Sequence, residues 1–216
     1  MGPDYIQLLK RWVSNEYPTL SHVTTFSVTL AFVWVSIFKL KMRINEVCDR
    51  PVQLVISADC RRLMDPPLPE NYFGNCIVPV FFPSNFNELL SKDDGFIIGA
   101  KLIGELIEEK LRKKDAIPRC QEEMVYFGER MSEFQFIAVS GSPRFADYDA
   151  DFGWGKPKKT DLISIDFTGA IFLRDCRGDA KGGVEVGLSF PKIEMDAFAV
   201  IFADGLKSVE KSGVKA

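Results

Sequence analysis

At 216 residues, with 46% hydrophobic and 26% charged residues, the chain has the makeup of a globular domain long enough to bury one sizeable core. A formal net charge of −3 without a basic stripe argues against nucleic acid as a partner. Cys48, Cys60, Cys76, Cys120 and Cys176 are odd in number and never spaced C-x-x-C, which fits free thiols in a cytoplasmic protein better than a disulfide framework or a zinc site.

Pro3-Asp4 can start a helix that places Ile6, Leu9, Trp12 and Val13 on one face and stops at Pro18. Residues 1–20 read as a linker helix, charged and without the apolar stretch of a secretory signal. Ser21 or Thr24 can cap a second helix reaching about Lys41, with Phe26, Leu30, Val33, Trp34 and Ile37 buried. The apolar run 23–38 is short of a bilayer's ~20 residues. It also carries three threonines and two serines, so a buried helix is expected and a membrane span is not. Residues 52–58 are rich in β-branched side chains and read as an interior strand. Three prolines make 65–71 an extended loop, and 77–82 a second strand ended by Pro83.

Asp93-Asp94 precede an amphipathic helix whose apolar face is expected to be Ile98, Leu102, Ile103, Leu106, Ile107 and Leu111. Its basic end, Lys110, Arg112, Lys113 and Lys114, complements the helix dipole and is read as a terminus, not an anion site. A short helix over 121–131 and a strand over 134–139 follow, the latter feeding a turn at Ser140-Gly141-Ser142-Pro143. Strands are expected at 161–166, 170–173 and 184–190, then a helix over 192–202 carrying Met195, Phe198, Ala199 and Phe202. Residues 21–208 form the domain, and 209–216 a frayed tail. Helices and strands alternate early and strands dominate late, so the fold class is α/β, a mixed β-sheet with covering helices.

Asp151-Phe152-Gly153-Trp154-Gly155-Lys156-Pro157 is the most unusual stretch. Its glycines argue for a sharply bent loop, with Phe152 and Trp154 as buried anchors. These residues closely resemble the Asp-Phe-Gly-Trp-Gly signature of the plant BAHD acyltransferases, the HXXXD-type acyl-transferases. Tyr72-Phe73-Gly74-Asn75-Cys76 resembles a motif of the anthocyanin, flavonoid and phenolic glucoside malonyltransferase branch, and Ser140–Phe145 lies between the two in the expected order. The resemblance spans nearly the whole chain but only the carboxy-terminal half of the family's fold. It implies a chloramphenicol-acetyltransferase-like domain, one of two flanking the active channel. It further implies acyl transfer from a CoA thioester, as malonyl-CoA, to a hydroxyl of a flavonoid or phenolic glucoside, with acyl-CoA as co-substrate and no bound cofactor.

The proton acceptor of such a reaction is the histidine of a His-x-x-x-Asp motif in the family's amino-terminal half, an apt base because its pKa lies near neutrality. The one histidine here, His22, is followed four residues later by Phe26 instead of aspartate, so a helix-entry role is expected and the general base is missing. No G-x-S-x-G elbow, G-x-G-x-x-G loop or P-loop is present, and nothing suggests a metal-ligand set.

Carried over by resemblance, the acyl-CoA channel is lined by Thr24, Thr25 and Ser27, by Arg61, and by Ser140, Gly141, Ser142 and Arg144. Hydroxyls and backbone N–H groups can bond pantetheine amides or a developing oxyanion, and arginine can hold a phosphate or carboxylate. An Arg61–Asp151 ion pair is expected, distant from the chemistry. The run Asp59-Cys60-Arg61-Arg62-Leu63 departs from the family's Asp-x-Arg-x-Arg-Leu, and on a strand that one-residue displacement turns the second basic residue to the other face. Without its companion half, the strand over 134–139 is expected to present an unpaired apolar edge through which copies associate. Two function classes stay open: half of an acyltransferase, or a non-catalytic fragment that binds CoA weakly or pairs with a homologue.

Overall fold

A computed structural model describes residues 1–20, 23–44, 50–82, 94–111, 113, 115–161, 170–177 and 182–213. Helix α1, Pro3–Glu16, begins with proline at its first turn, where the missing N–H costs nothing. Helix α2, Thr25–Arg43, starts at the Thr24 cap and ends on Lys41 and Arg43. By length and composition α2 could cross a membrane, but 67% of its apolar window is buried inside the domain. Helix α3 spans Gly95–Leu111, α4 Ala116–Glu129 and α5 Lys192–Gly213.

The strands are β1 Val52–Asp59, β2 Ile77–Phe81, β3 Gln135–Ser140, β4 Ile171–Asp175 and β5 Val184–Leu188, in the spatial order β2-β1-β3-β4-β5. Strand β1 runs parallel to β3 and β3 parallel to β4, while β2 and β5 run antiparallel on the outside. Leu54, Ile56 and Ala58 of β1 face the core, whereas Ser57 and Asp59 are exposed. The mixed sheet with covering helices is as expected, and β1 is interior. Strand β3 is not an edge, however. It pairs with β1 along Gln135–Val139 and with β4 at Val139 and Ser140, so among the described strands the edges fall on β2 and β5. Edge strand β2 tolerates Pro79, which a central strand would not, and Lys110 donates to the Phe81 carbonyl at its end.

Aromatic contacts hold the helices together. Trp12 of α1 meets Phe96 of α3 at 5.5 Å between centroids, Phe96 meets Phe32 of α2 at 6.0 Å, and Phe32 meets Phe202 of α5 at 5.1 Å. Helix α1 is therefore part of the core and not a linker: Leu9 and Val13 are fully buried. Tyr5 Oη donates to Glu210 of α5 at 2.6 Å, and Met1 exchanges backbone hydrogen bonds with Val184. Nor do residues 209–213 fray, since α5 continues to Gly213 with Val209 buried. The most buried residues of α3 are Phe96, Ile97, Ala100 and the expected Ile103; the expected Leu102, Leu106, Ile107 and Leu111 pack against the core while half-buried, and Ile98 is half-buried. Small Gly99 and Gly104 are buried on α3 as well. The expected strand at 161–166 falls almost wholly outside the described residues, as do Asp93, Arg112 and Lys114.

Candidate functional site at the carboxyl end of the sheet

Strands β1, β3 and β4 are parallel, so the segments that follow β1 and β3 leave the sheet at one end. The chain entering antiparallel β2 arrives at that same end, because Asp59 lies opposite Ile77. Topology thus gathers Arg61, Tyr72–Cys76 and Ser140–Arg144 on the edge where open α/β sheets bind ligands.

The strand ends at Asp59, and Arg61–Leu63 is a 3₁₀ turn. Arg62 therefore lies beyond the strand, and strand-face alternation does not set where it stands. Asp59 accepts from Arg61 Nη2 at 2.6 Å, from Nε at 3.0 Å and from the Arg61 backbone N–H at 3.0 Å. These hydrogen bonds hold the Asp59 carboxyl below its ordinary range. Arg61 also donates through Nη1 to the Glu70 carbonyl, Arg62 pairs with the Glu70 side chain, and Leu68 N–H donates to the Arg61 carbonyl at 2.9 Å. Arg61 thus fastens the proline-rich loop, and its partner is Asp59 in place of the expected Asp151. An acid two residues away reaches the guanidinium without any long-range closure.

After β3, Gly141 adopts φ +77°, and a Cβ there would strike the Leu173 carbonyl and lie 2.5 Å from the Phe172 ring. The turn continues with the Arg144 N–H donating to Ser142 Oγ at 3.2 Å and Phe145 N–H to the Ser142 carbonyl at 3.1 Å. Ser140 and Arg144 are exposed, Ser142 is half-buried, and no described residue pairs with the Arg144 guanidinium. Asp147 N–H donates to Asp175 at 3.3 Å, and Tyr148 is buried with its hydroxyl 3.4 Å from Glu185. Glu185 also pairs with Arg174 at 2.6 Å, and Arg174 donates to the Thr160 carbonyl at 2.6 Å. The segment 149–159 is therefore pinned to β4 and β5 at both ends.

Between those pins, Asp151 Oδ1 accepts from the backbone N–H of Gly153 at 2.8 Å and of Gly155 at 3.0 Å. The glycines adopt φ +97° and +90°, as a tight bend requires. The bend is as expected, but its aromatics are not buried: Phe152 is 83% and Trp154 94% exposed. Phe73 and Phe145 are also exposed, and Tyr72 folds back over Gly74. Among the described residues, none covers them. Asn75 is exposed and Cys76 half-buried.

Thr24 and Ser27 form a reciprocal cap, each side chain accepting from the other's backbone N–H at 3.0 Å, and Ser27 is 1% exposed. Their hydroxyls serve α2, while Thr25 is half-buried. His22 lies outside the described residues, and none of the loops at the carboxyl end carries a histidine. A cavity of about 360 Å³ does exist at the opposite end of the sheet, lined by Gln53, Phe81, Lys110, Glu123 and Phe127, but no motif residue reaches it. The motif-bearing end offers hydrogen-bond donors, cations and the carboxylates of Asp59, Glu70 and Asp151, but no histidine. The tether Thr160–Arg174–Glu185 was invisible in the sequence, because its members lie on different elements.

The model of the Transferase family matches residues 3–203. The chain is 38% identical over 206 residues to the malonyl-coenzyme A:anthocyanin 3-O-glucoside-6''-O-malonyltransferase of Dahlia pinnata, covering 94% of this chain and 44% of that protein. It is 37% identical to phenolic glucoside malonyltransferase 2 of Arabidopsis thaliana, with the same shares covered. Among solved structures it superposes on vinorine synthase with a TM-score of 0.69 at 20% identity, over 91% of this chain and 44% of that one. The chain thus spans about half the length of the curated relatives it matches, and its five-stranded mixed sheet with helices matches about half of the solved fold. The family match and the signature loops meeting at the carboxyl end of this sheet agree that the chain belongs to the Transferase family of BAHD acyltransferases.

Proposed function

We propose that this chain forms the carrier-binding wall of a cytoplasmic acyl-CoA-dependent O-acyltransferase. The reaction moves malonyl, or a related acyl group, from CoA to a hydroxyl of a flavonoid or phenolic glucoside. The observation that carries this reading is the convergence of Arg61, Ser140–Arg144 and the Tyr72–Cys76 loop at one end of the sheet, with their aromatics uncovered. Arg144 is exposed and positioned beside the Gly141-Ser142 turn, where a guanidinium can meet a phosphate or a malonyl carboxylate. Direct transfer passes through a tetrahedral intermediate formed by the acceptor hydroxyl. That step needs a base to take the hydroxyl proton, and the sequence holds no His-x-x-x-Asp.

The chain alone is accordingly inactive, and activity requires a complementary amino-terminal half that covers Phe152 and Trp154. A second reading, a non-catalytic partner that binds CoA weakly or associates with a homologue, is favoured by the same exposed aromatics. The test is an acyl-transfer assay with malonyl-CoA and an anthocyanin glucoside, run on the chain alone and with a family amino-terminal half added. Product only in the mixture supports half an enzyme. Product in neither supports the non-catalytic partner, and product from the chain alone overturns the missing-base argument.

A further inference from the structure

We propose that Cys60 and Cys76 form a reversible disulfide that closes the base of the 61–75 loop. The antiparallel register that sets Asp59 opposite Ile77 places these two cysteines opposite each other one residue beyond the ladder. Residues so placed have Cα atoms about 4.5–5.5 Å apart, inside the ~4.4–6.8 Å span a disulfide bridges. Cys60 N–H donates to the Cys76 carbonyl at 3.0 Å, and the two sulfurs are 3.1 Å apart. Closing to a bond of ~2.05 Å needs only side-chain rotation. No other described sulfurs touch.

The two thiols differ in access, and this orders the chemistry. Cys60 is 5% exposed, while Cys76 is half-buried at the end of the exposed Tyr72–Asn75 segment. Burial, reinforced by the hydrogen bond with Cys76, pushes the Cys60 thiol up to about 11. Cys76 is therefore the entry sulfur, and the oxidant is a small-molecule disulfide such as oxidised glutathione. Cys76 thiolate attacks one glutathione sulfur, forming a mixed disulfide and releasing a glutathione thiolate. Cys60 then loses its proton and attacks the Cys76 sulfur, releasing the second glutathione. The two protons from the cysteines end on the two released glutathiones, so two thiols and one disulfide exchange for one disulfide and two thiols.

Bridging would fix both ends of the loop whose interior is already fastened by Arg61 to Asp59 and Glu70. The oxidation state would thereby set the order of the segment that carries Arg61 and Tyr72-Phe73-Gly74-Asn75. The proposal does not depend on the acyl-transfer reading, and its test does not use activity.

The test treats the intact chain with oxidised glutathione, counts alkylatable thiols and maps linked peptides by mass spectrometry with fragmentation that resolves Cys48 from Cys60. The expected result is a fall from five thiols to three, a Cys60–Cys76 link, and full recovery with dithiothreitol. Cys60→Ala is expected to trap glutathione on Cys76, since the resolving thiol is gone. Cys76→Ser is expected to form no link at Cys60. Five thiols persisting, a link to any other cysteine, or a glutathione adduct that stays on Cys76 of the unaltered chain would overturn the proposal. If Cys60→Ala fails to fold, the map of the unaltered chain still decides.

Discussion

Replacing Gly141 by alanine tests whether the turn after β3 is set by close contact with β4. Two costs arise. The residue sits at φ +77°, where an L side chain costs ~1–2 kcal/mol. The new Cβ also meets the Leu173 carbonyl and the Phe172 ring, with ring carbons at 2.5 and 2.8 Å. Backbone cannot swing aside as a flexible side chain would, so overpacking adds ~1–3 kcal/mol. The expected total is about 2–5 kcal/mol. Gly153→Ala isolates the first cost, because its φ is +97° but a Cβ there meets nothing within 4 Å. That variant should lose only ~1–2 kcal/mol. Urea unfolding of both variants gives the comparison directly, with the midpoint moving and the slope unchanged. Equal losses in the two variants would refute the contact argument, since conformation alone would then explain both.

Leu9→Ala should cost about 2–5 kcal/mol by urea unfolding, as for other fully buried leucines, whereas a loosely attached linker helix would lose almost nothing. Trp154→Ala should leave the stability of this chain within about 0.5 kcal/mol, because the ring is almost fully exposed. The same variant should weaken binding to a family amino-terminal half in a pull-down or calorimetric titration, and unchanged binding would remove the ring from that interface. The Asp59 carboxyl is held low by Arg61, so its contribution is present above the ordinary 3.8 and is lost as pH falls through the lower folded value. With the carboxylate 52% exposed, that contribution stays under about 1 kcal/mol. Asp59→Asn should lower the urea midpoint at pH 6 and flatten this acid-side dependence; an unchanged profile would remove the pair's stabilising role.

Local chemistry made much of the fold legible. The Thr24 cap, the apolar run of α2 buried in the core, the proline-rich loop before β2 and the Gly-x-Gly bend at 153–155 are properties of neighbours in the chain, and they stand as read. The three motifs likewise carried the family. What failed needed knowledge of what lies across the fold. On α3 the helical spacing of large residues picks out side chains that pack against the core, but not Phe96, Ile97 and Ala100, which are buried more fully than most of them. Arg61 chose Asp59 over Asp151 because a partner two residues away costs less ordering than one ninety residues on.

The aromatics at 152 and 154 show the limit most plainly. Their residue types are those of buried anchors, yet burial depends on a surface to meet, and the described residues supply none. Sequence by itself determined most of the described helices, strands and bends, since those follow from propensity, capping and backbone freedom within a few residues. Only the tertiary structure decided which sulfurs touch, which acid holds Arg61 and which rings stay uncovered, because those depend on sheet order and register, which join residues far apart in the chain.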